Sequence, residues 1–171
     1  MKRILKELYP YVVIVIVVVL FRTFIATPVR VNGASMEDTL YNGEILILNK
    51  LNHNYKRFDV VVINKKVQGE KTKLVKRIIG LPGEAIEYKD NKLYINSKEL
   101  EDVSISRTGD FSLEELYNIK KIPKNYYFVM GDNRGNSSDS RDNRIGLISE
   151  DEIVGTTSIR LFPFTKIGKF N

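Results

Sequence analysis

The sequence predicts a mainly β protein: a domain of short antiparallel strands, built as a sandwich or distorted barrel, behind one N-terminal transmembrane helix. Three observations predict this. Tyr11 to Phe21 is an unbroken apolar run, mostly valine and isoleucine, and apolar character resumes at Phe24. Beyond Pro28, short apolar runs recur at close spacing between polar turns, as in all-β domains. A helical period occurs there once, at residues 112–122.

The chain divides into a cytoplasmic N-terminus at 1–7, an anchor helix at 8–27 and an extracytoplasmic domain at 28–171. Residues 8–27 match the roughly 20 residues a helix needs to cross a bilayer. Valine and isoleucine also favour strands in water, but an eleven-residue apolar run is long for a strand and follows a basic terminus. Arg22 lies near one end, where its stem can snorkel to the interface. A cleavable leader would need small residues at −3 and −1. Ala26 at −1 puts Phe24 at −3, and Ala34 puts Asn32 there, so the segment reads as a permanent anchor. Lys2, Arg3 and Lys6 before it favour a cytoplasmic N-terminus.

In the domain, Val29 and Val31 alternate with Arg30. Glu44–Leu48, Asp59–Ile63, Leu74–Ile79 and Ala85–Tyr88 read as strands, and Lys92–Ile95 leads into an Asn96-Ser97 hairpin turn. Ser112 and Glu115 form a capping box before Leu113, Leu116 and Ile119, which predicts a short amphipathic helix ended by Pro123. Tyr126–Met130, Ile153-Val154 and Ile159–Phe162 complete the strands.

Composition narrows the chemistry. The chain has no cysteine, which excludes disulfides, zinc–thiolate sites and thiol catalysis. Half of its net charge of +6 sits before residue 28, and the later lysine clusters have few interleaved aromatics, so no nucleic-acid partner is expected. The single histidine, His53, lies in the polar stretch Asn52-His53-Asn54 and reads as a surface side chain, which leaves no imidazole for a triad or a usual zinc site. A serine–lysine pair remains. A lysine acts as a base only when neutral, and burial favours that form. Strand parity puts Lys76 between Leu74 and Ile78 on one face, with Lys73 and Arg77 on the other and Lys71 in a polar loop. On pattern alone Lys76 is the best candidate base, with a snorkelling edge lysine as the alternative. Ser35, in Gly33-Ala34-Ser35, is the candidate nucleophile in a setting that allows close backbone approach. The alternative is a helix cap with Asp38, limited by Asn42-Gly43 to about one turn. The stretch from Gly131 to Asp142 is dense in Asp and Asn but fails as a calcium loop, with Arg134 at the third ligand position and Ser137 in place of the loop glycine. It reads as a polar network able to orient a neighbouring group. No metal or cofactor is expected.

Taken together and in order, these blocks resemble bacterial type I signal peptidases, membrane-anchored serine proteases of exported proteins. Ser35-Met36-Glu37-Asp38-Thr39-Leu40 resembles the family's Ser-Met-x-Pro-Thr-Leu. Arg57-Phe58-Asp59-Val60-Val61 resembles Arg-Gly-Asp-Ile-Val. The lysine box is matched by Lys76-Arg77-Ile78-Ile79-Gly80-Leu81-Pro82-Gly83-Glu84, and Gly-Asp-Asn-Arg-x-x-Ser-x-Asp-Ser-Arg by Gly131 to Arg141. The resemblance implies an antiparallel β-sheet catalytic domain in which Ser35 attacks the scissile carbonyl and Lys76 takes its proton. Ser137 would hold the lysine amine, Asp139 and Arg141 would support the site, and the Ser35 N–H would be one oxyanion donor. An extended substrate would lie along Val29–Asn32 and Lys73–Val75. Val29, Val31, Met36, Leu40, Val62, Leu74 and Val75 would then line pockets for alanine-sized side chains at −1 and −3. The implied partners are signal peptides of secreted preproteins and the lipid bilayer, with a monomeric enzyme of the single-anchor kind. Two departures stand out. Asp38 replaces the usual proline, implying a less rigid turn, and Gly33 replaces a serine that serves some members as second oxyanion donor. A self-cleaving repressor-type protease shares the chemistry but would need a DNA-binding domain and a cleavage loop, which the sequence does not show. An impaired, anchored binding protein of the same fold is the other alternative, and Asp38 is the feature favouring it.

Overall fold

The structure, a computed structural model, describes the backbone of residues 2–170 and all of their side chains except those of residues 2–6, 21 and 24. A helix, α1, runs from Lys2 to Phe24. Twelve strands follow: β1 (Ala26–Arg30), β2 (Ile45–Asn49), β3 (Val60–Val67), β4 (Glu70–Gly80), β5 (Ile86–Lys89), β6 (Lys92–Ile95), β7 (Lys98–Leu100), β8 (Phe111–Ser112), β9 (Tyr126–Met130), β10 (Ile148–Ser149), β11 (Ile153–Phe162) and β12 (Gly168–Lys169). A second helix, α2 (Leu113–Tyr117), follows β8.

The fold is mainly antiparallel β, as the sequence predicts. One sheet runs in the order β1-β2-β11-β3-β4-β9-β10, with β12 on β11, and a smaller one in the order β7-β6-β5-β8. The centre of the large sheet is covered on both faces. Ile79, Phe128 and Met130 point into a core shared with Tyr88, Leu93, Phe111 and Leu113 of the small sheet and α2. Ile78, Val129 and Tyr127 point the other way, into a core with Val61, Ile63 and Ile148. Burial on both faces explains why Tyr126–Met130 reads as a continuous apolar run rather than an alternating one. A third cluster, Val31, Met36, Leu40, Leu46 and Val60, underlies the segment after β1. Burying Met36 and Leu40 there stabilises that segment by about 1.5–3 kcal/mol per side chain.

Two expectations about elements change. The helix expected over 112–122 ends at Tyr117, because Asn118 takes a left-handed conformation and caps it well before Pro123. Its capping box forms, with Ser112 accepting from Glu115 N and the Glu115 carboxylate accepting from Ser112 N. The two C-terminal strands are one strand, β11, continued through bulges where it pairs with β2 and β3.

At the N-terminus a helix forms where one is predicted, with Leu8 to Leu20 exposed. Among the described residues, no helix is long and apolar enough to cross a membrane. The side chains of Phe21 and Phe24, part of the predicted span, and those of Lys2, Arg3 and Lys6, which carry the orientation argument, lie outside the described residues. Where the helix meets the domain, Lys50 donates to the carbonyls of Arg22 (3.3 Å) and Thr23 (3.0 Å) at its C-terminal end, the end of the helix dipole that favours a cation.

Candidate active site

Ser35 opens a tight turn rather than a helix. Glu37 N donates to Ala34 O (3.1 Å), and Met36 O accepts from both Thr39 N (3.1 Å) and Leu40 N (2.7 Å). Met36 and Leu40, 1% and 0% exposed, pin the turn to the third core. The Ser35 side chain caps nothing; its Oγ lies 2.6 Å from Lys76 Nζ.

Lys76 comes from the buried half of β4 and is 3% exposed. Val61 faces it in register on β3, and Ile78 and Leu74 flank it on the same strand face, as parity predicts. Desolvation is the largest influence on the amine and lowers its pKa from the ordinary 10.5 to about 8. Asp139 and Asp132 pull the value up, and Arg141 pushes it down.

The segment after β9 closes round this pair. Asp139, fully buried, accepts from Arg141 Nε and Nη2 (both 2.8 Å), from Gly131 N (3.0 Å) and from Arg141 N (3.2 Å). Burial alone would raise its pKa, but the Arg141 guanidinium and these N–H donors hold it below the ordinary carboxylate value. Ser137 Oγ is buried without a partner of hydrogen-bond geometry, although it lies near enough to the Asp139 carboxylate to favour its charged form. Lys76 Nζ bonds Ser35 rather than Ser137 in this geometry. Gly131 is required by space: a Cβ there would strike the Ser35 carbonyl oxygen and the Ser137 side chain.

Two residues that hold the site's surroundings escaped the sequence reading. Asn133 holds the nucleophile's backbone, its N–H donating to Ser35 O (3.1 Å) and its Nδ2 to Ala34 O (3.1 Å). Arg77, assigned by parity to the face opposite Lys76, is as buried as Lys76. It forms a two-point ion pair with Asp132 (Nε–Oδ1 2.9 Å, Nη2–Oδ2 2.7 Å) and also donates to Phe58 O and Thr39 Oγ1. The signal for both was their place inside the ordered boxes.

A cleft of about 360 Å³ opens beside Ser35 and Lys76. Val29, Val31, Met36, Leu74 and Val75 line it, with Thr27, Asn32, Leu48, Lys50 and Lys73 among the others. Leu40 and Val62 are not among its lining residues. Both are fully buried, Leu40 under the turn and Val62 beside Val75, its partner in the β3–β4 ladder. The cleft has a sheet edge on each side: β1 is the end strand of its sheet, and β4 pairs with β9 only from Arg77 onward. His53 is exposed in the loop before β3.

The family profile described as signal peptidase, peptidase S26, matches residues 4–162, which include every group named above at the site. The chain belongs to that family. As a member of the signal peptidase family it is an enzyme of the type I signal peptidase class, with relatives of that name over most of its length. It is 45% identical to signal peptidase I T of Bacillus subtilis (strain 168), over 91% of this chain and 84% of that one. With signal peptidase I S of the same strain it shares 39% identity over 99% of this chain and 95% of that one. Among solved structures it resembles a signal peptidase I from Enterococcus faecalis V583, with a TM-score of 0.53 and 34% identity over 60% of this chain and 96% of that one.

Proposed function

We propose that this signal peptidase is a membrane-anchored serine endopeptidase that removes N-terminal signal peptides from exported preproteins with a Ser35–Lys76 dyad. The observation that carries the proposal is a buried amine of lowered pKa 2.6 Å from the Ser35 hydroxyl. Neutral Lys76 takes the Ser35 proton as Oγ attacks the carbonyl carbon, and the Ser35 N–H, which has no acceptor among the described residues, donates to the oxyanion. Gly33 N is already committed to Asn42 Oδ1 (3.0 Å) and contributes no second donor. Lys76 then protonates the departing amine as the C–N bond breaks, leaving an ester on Ser35. A water, losing its proton to Lys76, hydrolyses that ester and frees the new carboxylate. Ser137 receives the lysine amine when Ser35 moves toward the substrate, while Asp139 and Arg141 keep that wall in place.

The substrate lies extended between the open edges of β1 and β4, adding a strand to each by main-chain hydrogen bonds. The branched side chains of Val29, Val31, Leu74 and Val75 leave shallow pockets, which favours alanine-sized residues at −1 and −3. Residues 8–27 supply the apolar sequence of the anchor, although its helix, α1, starts earlier, at Lys2, and ends at Phe24, with Ala26 and Thr27 already in β1. At about 1.5 Å per residue the 23 residues of α1 cover the roughly 30 Å of a hydrocarbon core. The basic terminus then lies in the cytoplasm and the catalytic domain outside.

Full-length protein in detergent, incubated with a preprotein carrying an Ala-x-Ala site, is expected to release the mature chain, and Ser35→Ala and Lys76→Ala are expected to abolish release. Undiminished cleavage by both variants refutes the dyad. Protection of the domain from protease added to intact cells refutes the orientation.

A further inference from the structure

Asp38 stands three residues after the nucleophile with a backbone φ of +86°, a conformation that side-chain-bearing residues rarely adopt and that Asp and Asn tolerate best. It lies in the turn whose later residues, Thr39 and Leu40, return their N–H groups to Met36 O. The Asp38 carboxylate accepts from Ser106 Oγ at 2.8 Å. The contact belongs to a longer path. Ser106 N donates to Ser104 Oγ (3.2 Å), and Ser104 Oγ donates to Asp132 O (2.8 Å). The next residue along, Asn133, donates its N–H to Ser35 O (3.1 Å). The path thus leaves the nucleophile's turn at Asp38, crosses the 104–106 loop and returns to the nucleophile's own carbonyl. Thr39, on the far side of Asp38, is held separately by Arg77 at its hydroxyl and by Arg160 at its carbonyl (2.7 Å).

We infer that Asp38 and Ser106 are positioning residues, and that this closed ring of hydrogen bonds fixes Ser35 for attack. The inference rests on the serine–lysine reading of the site. A turn held only at its base would let Ser35 sample orientations away from Lys76 and the substrate carbonyl. A brace on Asp38 removes that freedom without touching substrate, so its loss falls on the chemical step. A turn less rigid than the family's proline-bearing one is therefore not what this geometry provides; side-chain bonding supplies the restraint that a ring would supply elsewhere. Proline itself cannot stand here, because its φ is locked near −65°.

Preprotein cleavage by full-length protein in detergent tests the ring, with kcat and KM determined separately and the unfolding midpoint followed in each variant. Ser106→Ala, in a half-buried loop position, is expected to lower kcat about three- to tenfold, the range of one lost hydrogen bond, with KM and unfolding midpoint essentially unchanged. Ser106→Thr and Asp38→Asn, which keep a donor and an acceptor, are expected to retain activity. Asp38→Gly, which permits the backbone but removes the brace, should match Ser106→Ala. The double variant Asp38→Gly with Ser106→Ala should be no worse than either alone, as for two ends of one contact. Asp38→Pro should lose far more than any of these. An unchanged kcat in Ser106→Ala, losses that multiply in the double variant, or a loss that follows the unfolding midpoint overturns the ring. Wild-type cleavage that survives Ser35→Ala instead overturns the dyad on which the inference stands.

Discussion

Cleavage by this chain is expected to rise with pH in step with the neutral fraction of Lys76. Burial draws the amine from 10.5 to about 8. At pH 7 a base with a pKa of about 8 is neutral in roughly one molecule in ten, against roughly three in ten thousand for an unshifted lysine, a gain of about 300-fold in active base, equivalent to about 3 kcal/mol. The kcat/KM for a signal-peptide-bearing substrate, followed from pH 6 to 10 at constant ionic strength, should climb close to tenfold per unit at first. It should bend near pH 8 and level off about one unit higher. Lys76→Arg should be inactive throughout, because a guanidinium does not give up its proton in this range. A flat profile, or a bend left near 10.5, would show that burial does not tune this lysine. A maximum near pH 6 that vanishes in His53→Gln would refute the dyad outright, since it would place the base on the exposed histidine.

Three further outcomes follow from the same geometry. The unfolded chain binds more protons at Lys76 than the native one between pH 8 and 10.5, so stability rises with pH across that window and the penalty is full below it. Lys76→Met is therefore expected to stabilise the protein at pH 7, by at most about 3 kcal/mol, with the gain gone above pH 10.5; denaturant titrations at the two pH values decide, and a variant destabilised equally at both contradicts the argument. Gly131→Ala should cost about 1–3 kcal/mol by overpacking against Ser35 and Ser137 and depress cleavage with it, read by unfolding and kinetics together. Asp139→Asn should cost about 1–3 kcal/mol by stripping Arg141, itself still partly solvated, of its buried partner. In the wild type the depressed pKa of Asp139 keeps the pair intact as pH falls past the ordinary 3.8, its stability being lost only as pH drops through the lower folded value. Acid unfolding at an earlier point in the wild type than in the variant would contradict it.

How much of this was legible in the sequence depended on whether local pattern or long-range packing decided the feature. Strands such as Lys92–Ile95 and Tyr126–Met130 were legible to the residue, because their apolar runs end at Asn-Ser or Pro-containing turns. The end of α2 was not, since Asn118 caps it in a left-handed conformation that asparagine tolerates, five residues before the proline taken as the breaker. Parity found the face of Lys76, yet it carries no information about whether the opposite face is solvated. Arg77 is buried among partners distant in sequence, Asp132 after β9, Phe58 before β3 and Thr39 in the nucleophile's turn. Leu40 and Val62 show the same limit, because strand and turn position placed them near the site but not on its surface. Asn133 and Ser106 bond to backbone carbonyls and a single carboxylate, and neither leaves a periodic trace.

Lys76 and Arg77 are consecutive, equally buried and on opposite faces of one strand, yet their bonded partners differ. The difference lies in how carboxylates are distributed. Arg77 receives Asp132 at both oxygens, a match to its planar fork that suits a group unable to deprotonate. The carboxylate set against Lys76, Asp139, is already taken by the Arg141 guanidinium and Gly131 N–H, so its charge reaches the amine only through space while burial acts in full. The bonded partner of Lys76 is instead the Ser35 hydroxyl, 2.6 Å away. On the serine–lysine reading proposed above, Arg141 serves the dyad without touching it: by occupying Asp139 it leaves Lys76 with the Ser35 hydroxyl as its bonded partner.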